Sequence, residues 1–226
     1  MGINNNVPNV KSTFESINFT WDENKSNIEN IYDFAIIFLE LTDPHDKLAT
    51  RILEHTMRTI KIAEKIMNKE IADREIVVIS ILLHDIGKTL CDNSHNLVSF
   101  RLAELLLGKY NYDENKKTKI LNCILYHSAK DVKTLDLTSE QKVVMDADII
   151  DEIGILLIAR ICLRTPNKNS SIHEILKSLE TKYNKIDKES TLLKTKCGND
   201  IYCQKKKKYR EYIDQLKIET AEFKIK

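Results

Sequence analysis

Glycine and proline are scarce in this chain, and their scarcity limits the folds that it can adopt. Of its 226 residues, five are glycine and three are proline, far below the ~12 % that is usual for the two together. Tight turns between strands need residues with positive φ or a preset φ, whereas helices use glycine and proline mainly at their ends. A sandwich, barrel or propeller is therefore not expected, and the chain is predicted to be all-α.

Apolar residues recur at helical spacing along most of the chain. Helix starts are predicted at Asp43, with Pro44 in the first helical position, and at Asp73. Capping boxes begin at Thr138 and Ser171. Residues 1–26 are predicted to be a polar, flexible leader, and residues 27–226 a single domain. The predicted helices include about 27–41, 44–68, 95–108, 113–128 and 199–222.

The overall composition indicates which kinds of binding partner are not expected. The chain has 35 Lys and Arg against 34 Asp and Glu, a net charge of +1, so a nucleic-acid partner is not expected. The lysines at 205–208 are interpreted as the solvated face of the last helix. No apolar run approaches ~18 residues, so no membrane partner is expected. The five cysteines form no C-x-x-C pair, and a cytoplasmic protein is expected.

Ionisable side chains interrupt the most apolar helices. His55 lies on the inner stripe of one predicted helix, and His84 and Asp85 finish another; Asp146 and Asp148 lie within a third apolar segment. A charged carboxylate in an apolar core is costly unless it is paired or coordinated. Histidine with carboxylate suits Mn, Fe, Co, Ni or Zn better than Ca or Mg. The pattern therefore predicts a site for a divalent transition metal.

The order of these residues resembles that of a known family. His55, His84, Asp85 and Asp148 follow one another at separations of 29, 1 and 63 residues. This pattern is similar to the HD-domain metal-dependent phosphohydrolase superfamily, and residues 146–154 resemble the D-A-D-x-x-D-x-x-G segment of one bacterial branch. The resemblance covers about residues 45–220. It implies an all-α HD-domain helical bundle around a central metal site, and hydrolysis of a phosphate ester.

The resemblance also implies roles for particular residues. His55, His84, Asp85 and Asp148 would bind the metal, with Asp148 favoured over Asp146 because it follows Ala147 in the family register. In binuclear members two further histidines bind a second ion and the H-D aspartate bridges; the candidates here are His95 and His127. The sequence leaves open whether the site holds one ion or two.

Substrate contacts and the reaction follow from the same resemblance. Asp85 would also orient the attacking water, and Lys88 and Arg58 would hold a phosphate, the alternative being that both are ordinary surface cations. The expected partner is a small phosphorylated substrate, with nucleotides among the candidates. A second hypothesis is a mixed-valent di-iron oxygenase, which needs both histidines of the second site. A third hypothesis is a degenerate HD binding module. The presence of all four core metal residues in this sequence argues against it.

Overall fold

The computed structural model describes residues 9–44, 47–128, 136–164, 171–189 and 192–221. Within these ranges the chain forms α-helices and one short 3₁₀ helix at Ile86–Thr89, and no strand, which confirms the predicted all-α class. The helices are α1 (Val10–Glu15), α2 (Asn27–Thr42), α3 (Leu48–Met67), α4 (Arg74–Leu83), α5 (His95–Lys109), α6 (Glu114–Tyr126), α7 (Ser139–Asp151), α8 (Ile155–Arg164), α9 (Ile172–Glu189) and α10 (Lys196–Ala221).

The chain divides into two compact units, Met1–Met145 and Asp146–Lys226. The single domain over 27–226 stays a prediction. In the described part of the chain, no helix combines the length and the apolar character needed to cross a bilayer.

Helix α4 is the centre of the first unit. Its residues from Ile76 to Leu83 are all buried, and it packs against α2, α3 and α6. A helix that is apolar all round is expected to lie inside a bundle. Helix α5 packs on α6 and on the 3₁₀ helix that follows α4. These contacts bring the carboxyl ends of α4 and α6 and the start of α5 into one region.

Most helix starts agree with the capping signals in the sequence. The Asp73 carboxylate accepts hydrogen bonds from the amides of α4. The boxes at Thr138 and Ser171 are both reciprocal. The start predicted at Asp43 is wrong: α3 begins at Leu48, because Asp43 ends α2 and reaches the amide of Ala49 only through its side chain, at 2.6 Å. Residues 45 and 46 lie outside the described ranges.

The described part of the predicted leader carries structure of its own. Residues 10–15 form α1, and the side chains of Val10 and Ile17 are buried. Tyr110, at the end of α5, donates a hydrogen bond to the carbonyl of Phe19 at 2.9 Å. These contacts attach the segment to the first unit. Residues 1–8 lie outside the described ranges, so the leader as a whole stays a prediction.

In the second unit, Asp146 determines where α10 starts. Its carboxylate accepts hydrogen bonds from the amides of Lys194 and Thr195, both at 2.8 Å, and from the Thr195 hydroxyl at 2.7 Å. Because these donors precede the helix, α10 begins at Lys196 rather than near residue 199. Asp146 thus fixes the segment that precedes α10, and both of its carboxylate oxygens are used for that purpose.

Candidate metal centre

The end of α4 directs the first pair of ionisable residues inward. His84 occupies the C-cap position, where backbone carbonyls lack an intrahelical amide. Its Nδ1 lies 2.7 Å from the carbonyl oxygen of Ile81. Because a carbonyl only accepts, Nδ1 must carry the proton, and in the neutral ring the lone pair is on Nε2. The local backbone therefore sets both the tautomer and the direction of the ring.

Two more histidines use the same arrangement. His127 is the C-cap of α6, and its Nδ1 donates to the carbonyl of Ile124 at 2.7 Å. His95 begins α5, and its Nδ1 donates to the carbonyl of Asp92 at 2.8 Å. In each case the Nε2 atom is left as the ligand atom. A hydrogen bond from the other ring nitrogen to a backbone carbonyl is typical of metal-binding histidines.

The carboxylate of Asp85 lies among four imidazole rings. Its Oδ2 is 3.7 Å from Nε2 of His55 and 3.5 Å from Nε2 of His84. Its Oδ1 is 3.5 Å from Nε2 of His95 and 3.6 Å from Nε2 of His127. The two oxygens therefore face two different pairs of histidines. This is the arrangement of a carboxylate that could bridge two cations.

The donor atoms fit a metal on each side. Nε2 atoms are 3.3 Å apart in the His55–His84 pair and 3.4 Å apart in the His95–His127 pair. Two ligand atoms about 2.1 Å from a tetrahedral ion are themselves about 3.4 Å apart. In their neutral forms His95 and His127 point lone pairs at each other, which is unfavourable unless a cation or a proton lies between them.

An unsatisfied oxygen supports the same conclusion. Oδ1 of Asp85 is buried and accepts no hydrogen bond from any residue that the structure describes. A buried acceptor without a donor is costly, and a bound cation would remove that cost. His55, His84 and Asp85 form one group that could hold a metal, and Asp85, His95 and His127 form another.

The protonation states suit metal binding. Burial alone would raise the pKa of Asp85, but His84, His127 and Lys88 outweigh it and hold the pKa well below its ordinary value. Burial also lowers the pKa of His95, against the opposing effects of Asp92 and Asp85. The Asp85 carboxylate is therefore charged and the His95 imidazole is neutral near pH 7, as metal ligands must be.

Glycine at position 87 lets α5 approach the turn that carries Asp85. A Cβ atom at Gly87 would lie 2.6 Å from the carbonyl oxygen of His95 and 2.8 Å from the amide of Ser99. The amide of Gly87 donates to the Ser99 hydroxyl at 2.9 Å. The φ of Gly87 is not in the positive range. Close packing, and not backbone freedom, explains the glycine.

Two residues near the site were not predicted. Ser99 bonds the amide of Gly87, and Asn96 donates from Nδ2 to the carbonyl of Leu125 at 3.2 Å. The sequence gives only one sign of these two residues, which is that small or polar side chains occur on the inner side of α5. Such residues are common at helix starts, so this sign does not single them out. Their partners are in other elements, so spacing within the sequence does not reveal them.

The remaining predicted residues lie as follows. Lys88 forms an ion pair with Oδ2 of Asp85, three residues before it. Arg58 is on α3, one turn after His55, and its guanidinium is 3.8 Å from the Glu54 carboxylate. Asp148 is half-buried near the end of α7 and belongs to the second unit, and it stays a predicted ligand.

Known proteins resemble this chain in two ways. Residues 52–153 match the family model of the HD domain. The fold is similar to that of a predicted HD-superfamily hydrolase from an uncultured Thermotogales bacterium, with 22% identity, a TM-score of 0.58, and coverage of 85% of this chain and 90% of that one. No curated protein sequence matches the chain.

Two Bacillus structures share the fold. An HD-superfamily hydrolase from Bacillus thuringiensis has 20% identity and a TM-score of 0.65, over 86% of this chain and 99% of that one. YpgQ from Bacillus subtilis, in complex with ADP, has 23% identity and a TM-score of 0.54, over 83% of this chain and 97% of that one. At these identities the likeness is one of fold.

Proposed function

We propose that this chain, whose residues 52–153 form an HD domain, is a metal-dependent phosphohydrolase that cleaves a phosphate ester. The observation that carries the proposal is the buried Asp85 carboxylate, whose two oxygens face separate histidine pairs at 3.5–3.7 Å. A bridged pair of cations is a common arrangement for displacement at phosphorus. We therefore propose two ions for the site, one on each side of Asp85.

The chain supplies ligands for both ions. Oδ2 of Asp85 with His55 and His84 would hold the first, and Oδ1 of Asp85 with His95 and His127 would hold the second. Asp148 is proposed as a further ligand from the resemblance of residues 146–154 to the bacterial branch. A divalent Mn, Fe, Co, Ni or Zn ion would polarise a phosphoryl oxygen and make water acidic enough to attack near neutral pH.

The protein residues contribute charge and position. Asp85 remains ionised, because His84, His127 and Lys88 hold its pKa well below the ordinary value, and its orientation determines where an attacking water could be held. Lys88, whose side chain is 29% exposed, places an ammonium group beside Asp85 at the edge of the site. We assign Lys88 and Arg58 to the substrate phosphate, where a fixed positive charge stabilises the transition state.

The proposed substrate is a small phosphorylated molecule in the cytoplasm, and nucleotides are the first class to test. Supporting this choice, YpgQ, which shares the fold at 23% identity, is known in complex with ADP. The near-zero net charge of this chain suits a small anion held by a few cations rather than a polyanion.

A metal-reconstituted activity screen tests the proposal. Purified protein would be loaded with Mn, Fe, Co, Ni or Zn and assayed against phosphomonoesters, phosphodiesters and nucleotides. We expect turnover that requires metal and that disappears in Asp85→Asn, while Asp200→Asn, which changes an exposed aspartate on α10, retains it. A folded protein that binds two equivalents of each metal and turns over no phosphate ester would contradict the proposal.

The di-iron oxygenase is the second candidate, because the His95–His127 pair would supply the second metal site that its chemistry needs. Iron-loaded protein would be assayed for substrate-dependent O₂ uptake with C–C and C–P substrates. Uptake in the absence of phosphate ester turnover would favour the oxygenase over the phosphohydrolase.

A further inference from the structure

Asn96 links the two helices that carry the second histidine pair. It is the second residue of α5, directly after His95, and its Nδ2 donates to the carbonyl oxygen of Leu125 at 3.2 Å. Leu125 lies in the last turn of α6, two residues before His127. Carbonyls in the last turn of a helix have no intrahelical amide to accept from. The side chain of Asn96 therefore satisfies a carbonyl at the end of α6.

The histidines themselves do not determine how far apart their rings lie. The Nδ1 atoms of His95 and His127 are bound to carbonyls three residues earlier in their own segments. These bonds set the direction of each ring, but they leave the distance between α5 and α6 undetermined. The observed separation of 3.4 Å between the Nε2 atoms thus depends on contacts that join the two helices.

Helix α5 is held on two sides near the site. On one side the amide of Gly87 donates to Ser99 at 2.9 Å, which fixes α5 against the turn that carries Asp85. On the other side Asn96 bonds the end of α6. Binding sites need their ligands placed within about 0.5 Å. Two polar links join this helix to the two neighbours that carry the other ligands, and they contribute to that placement.

We propose that Asn96 is a positioning residue for the second metal ion. Its hydrogen bond to Leu125 holds His95 and His127 at the separation that allows both Nε2 atoms to bind the ion that Oδ1 of Asp85 contacts. The first ion, between His55 and His84, does not depend on this bond. The inference rests on the proposed function, because it requires that a second ion binds.

Cobalt titration of matched variants tests the role of Asn96. Asn96→Leu keeps a similar volume and removes the donor, Asn96→Ala removes the side chain, and Asn96→Gln restores an amide one methylene further out. Asn93→Leu is the control, because Asn93 is exposed and precedes the same helix. Each protein would be titrated with Co²⁺ by calorimetry, with metal content measured by elemental analysis and folding by circular dichroism.

We expect two equivalents of Co²⁺ in the wild type and in Asn93→Leu. In Asn96→Leu and Asn96→Ala the second equivalent should bind about 10–100-fold more weakly, as is typical when an outer hydrogen bond is lost, with the first changed less than about threefold. Asn96→Gln should recover part of the loss. A general loss of packing would not produce this selective effect.

Two results would overturn the inference. One is unchanged binding of both equivalents in Asn96→Leu and Asn96→Ala, and the other is equal weakening of both equivalents in a variant that remains folded. A wild-type protein that binds a single equivalent would instead contradict the second metal of the proposed function, and the wild-type titration alone reveals that outcome. If Asn96→Leu does not fold, Asn96→Ala and Asn96→Gln supply the comparison.

Discussion

At the scale of single residues, Asp85 accounts for most of the proposed chemistry. It is 2% exposed, one of its oxygens accepts no hydrogen bond in the described part of the structure, and its pKa is held low by His84, His127 and Lys88 against the effect of burial. A buried charge in this situation needs a counter-charge. A metal bound on each side would supply it, together with the Lys88 ammonium that already pairs with Oδ2.

Replacing Asp85 with Asn tests this directly. The amide keeps the shape of the side chain and removes the charge that both ions would share, so metal content should fall. Activity should drop by more than about 100-fold, which exceeds the loss that is typical when a residue supporting a metal ligand is replaced. Elemental analysis after gel filtration and a rate assay measure the two effects. Retention of both metals with full activity would favour the degenerate binding module.

Replacing Lys88 with Met should separate substrate binding from metal binding. Lys88 and a metal would compete for the same oxygen of Asp85, so loss of the ammonium should leave metal affinity equal or higher. Activity at low substrate should fall about 10–100-fold if the ammonium stabilises the phosphate in the transition state. Lys119→Met, an exposed lysine on α6, is the control. Weaker metal binding in Lys88→Met would contradict the assignment.

At the scale of elements, the site depends on close contacts between helix ends. The turn after α4, the start of α5 and the end of α6 meet through Gly87, Ser99 and Asn96. In the second unit the start of α10 is held by Asp146 and Thr195 in a similar way. Each contact joins two different elements through one or two residues, so each should be sensitive to a single substitution.

Substitution of Gly87 by Ala should be destabilising. The new methyl group would lie 2.6 Å and 2.8 Å from backbone atoms of α5, which cannot move without shifting the helix, and overpacking of this kind costs about 1–3 kcal/mol. Gly108→Ala is the control, because its Cβ would meet nothing closer than the Lys117 side chain at 3.7 Å and alanine favours the helix by about 1 kcal/mol. Urea unfolding would measure both, and equal effects would refute the argument.

Thr195 supports the start of α10 through both roles of its hydroxyl. It donates to Asp146 at 2.7 Å and accepts from the amide of Gly198 at 2.9 Å, in a buried position. Thr195→Val should therefore cost about 1–3 kcal/mol, since buried partners are left unsatisfied. Thr181→Val on α9, whose hydroxyl is exposed, should change stability by about 0.5 kcal/mol or less. Thermal unfolding compares them, and a loss in Thr181→Val as large as that in Thr195→Val would contradict this role.

At the scale of the whole molecule, metal binding should be linked to stability. A ligand that binds only the folded chain stabilises it by about 2.7 kcal/mol at about 100 times Kd, which corresponds to a rise in Tm of about 5–10 °C for a chain of this size. We expect Tm to fall on chelation and to recover with Mn²⁺ or Co²⁺. Asp85→Asn should show no such rise, and an equal rise in that variant would place the binding elsewhere.

Local physics let the sequence predict much of the fold. Helical periodicity and capping depend on residues three or four positions apart, so the all-α class, the inner position of His55 and the caps at Asp73, Thr138 and Ser171 were predictable. The start of α3 was not, because Asp43 is used by α2 and reaches Ala49 only with its side chain.

The sequence by itself determined which ionisable residues lie inside apolar helices and in what order they occur. The tertiary structure decided that the two oxygens of Asp85 face different histidine pairs, that Gly87 is needed for the approach of α5, and that Asn96 joins α5 to α6. Spacing along a helix sets the face on which a residue lies. Distances between helices depend on how side chains distant in the sequence pack together, and no local pattern contains that information.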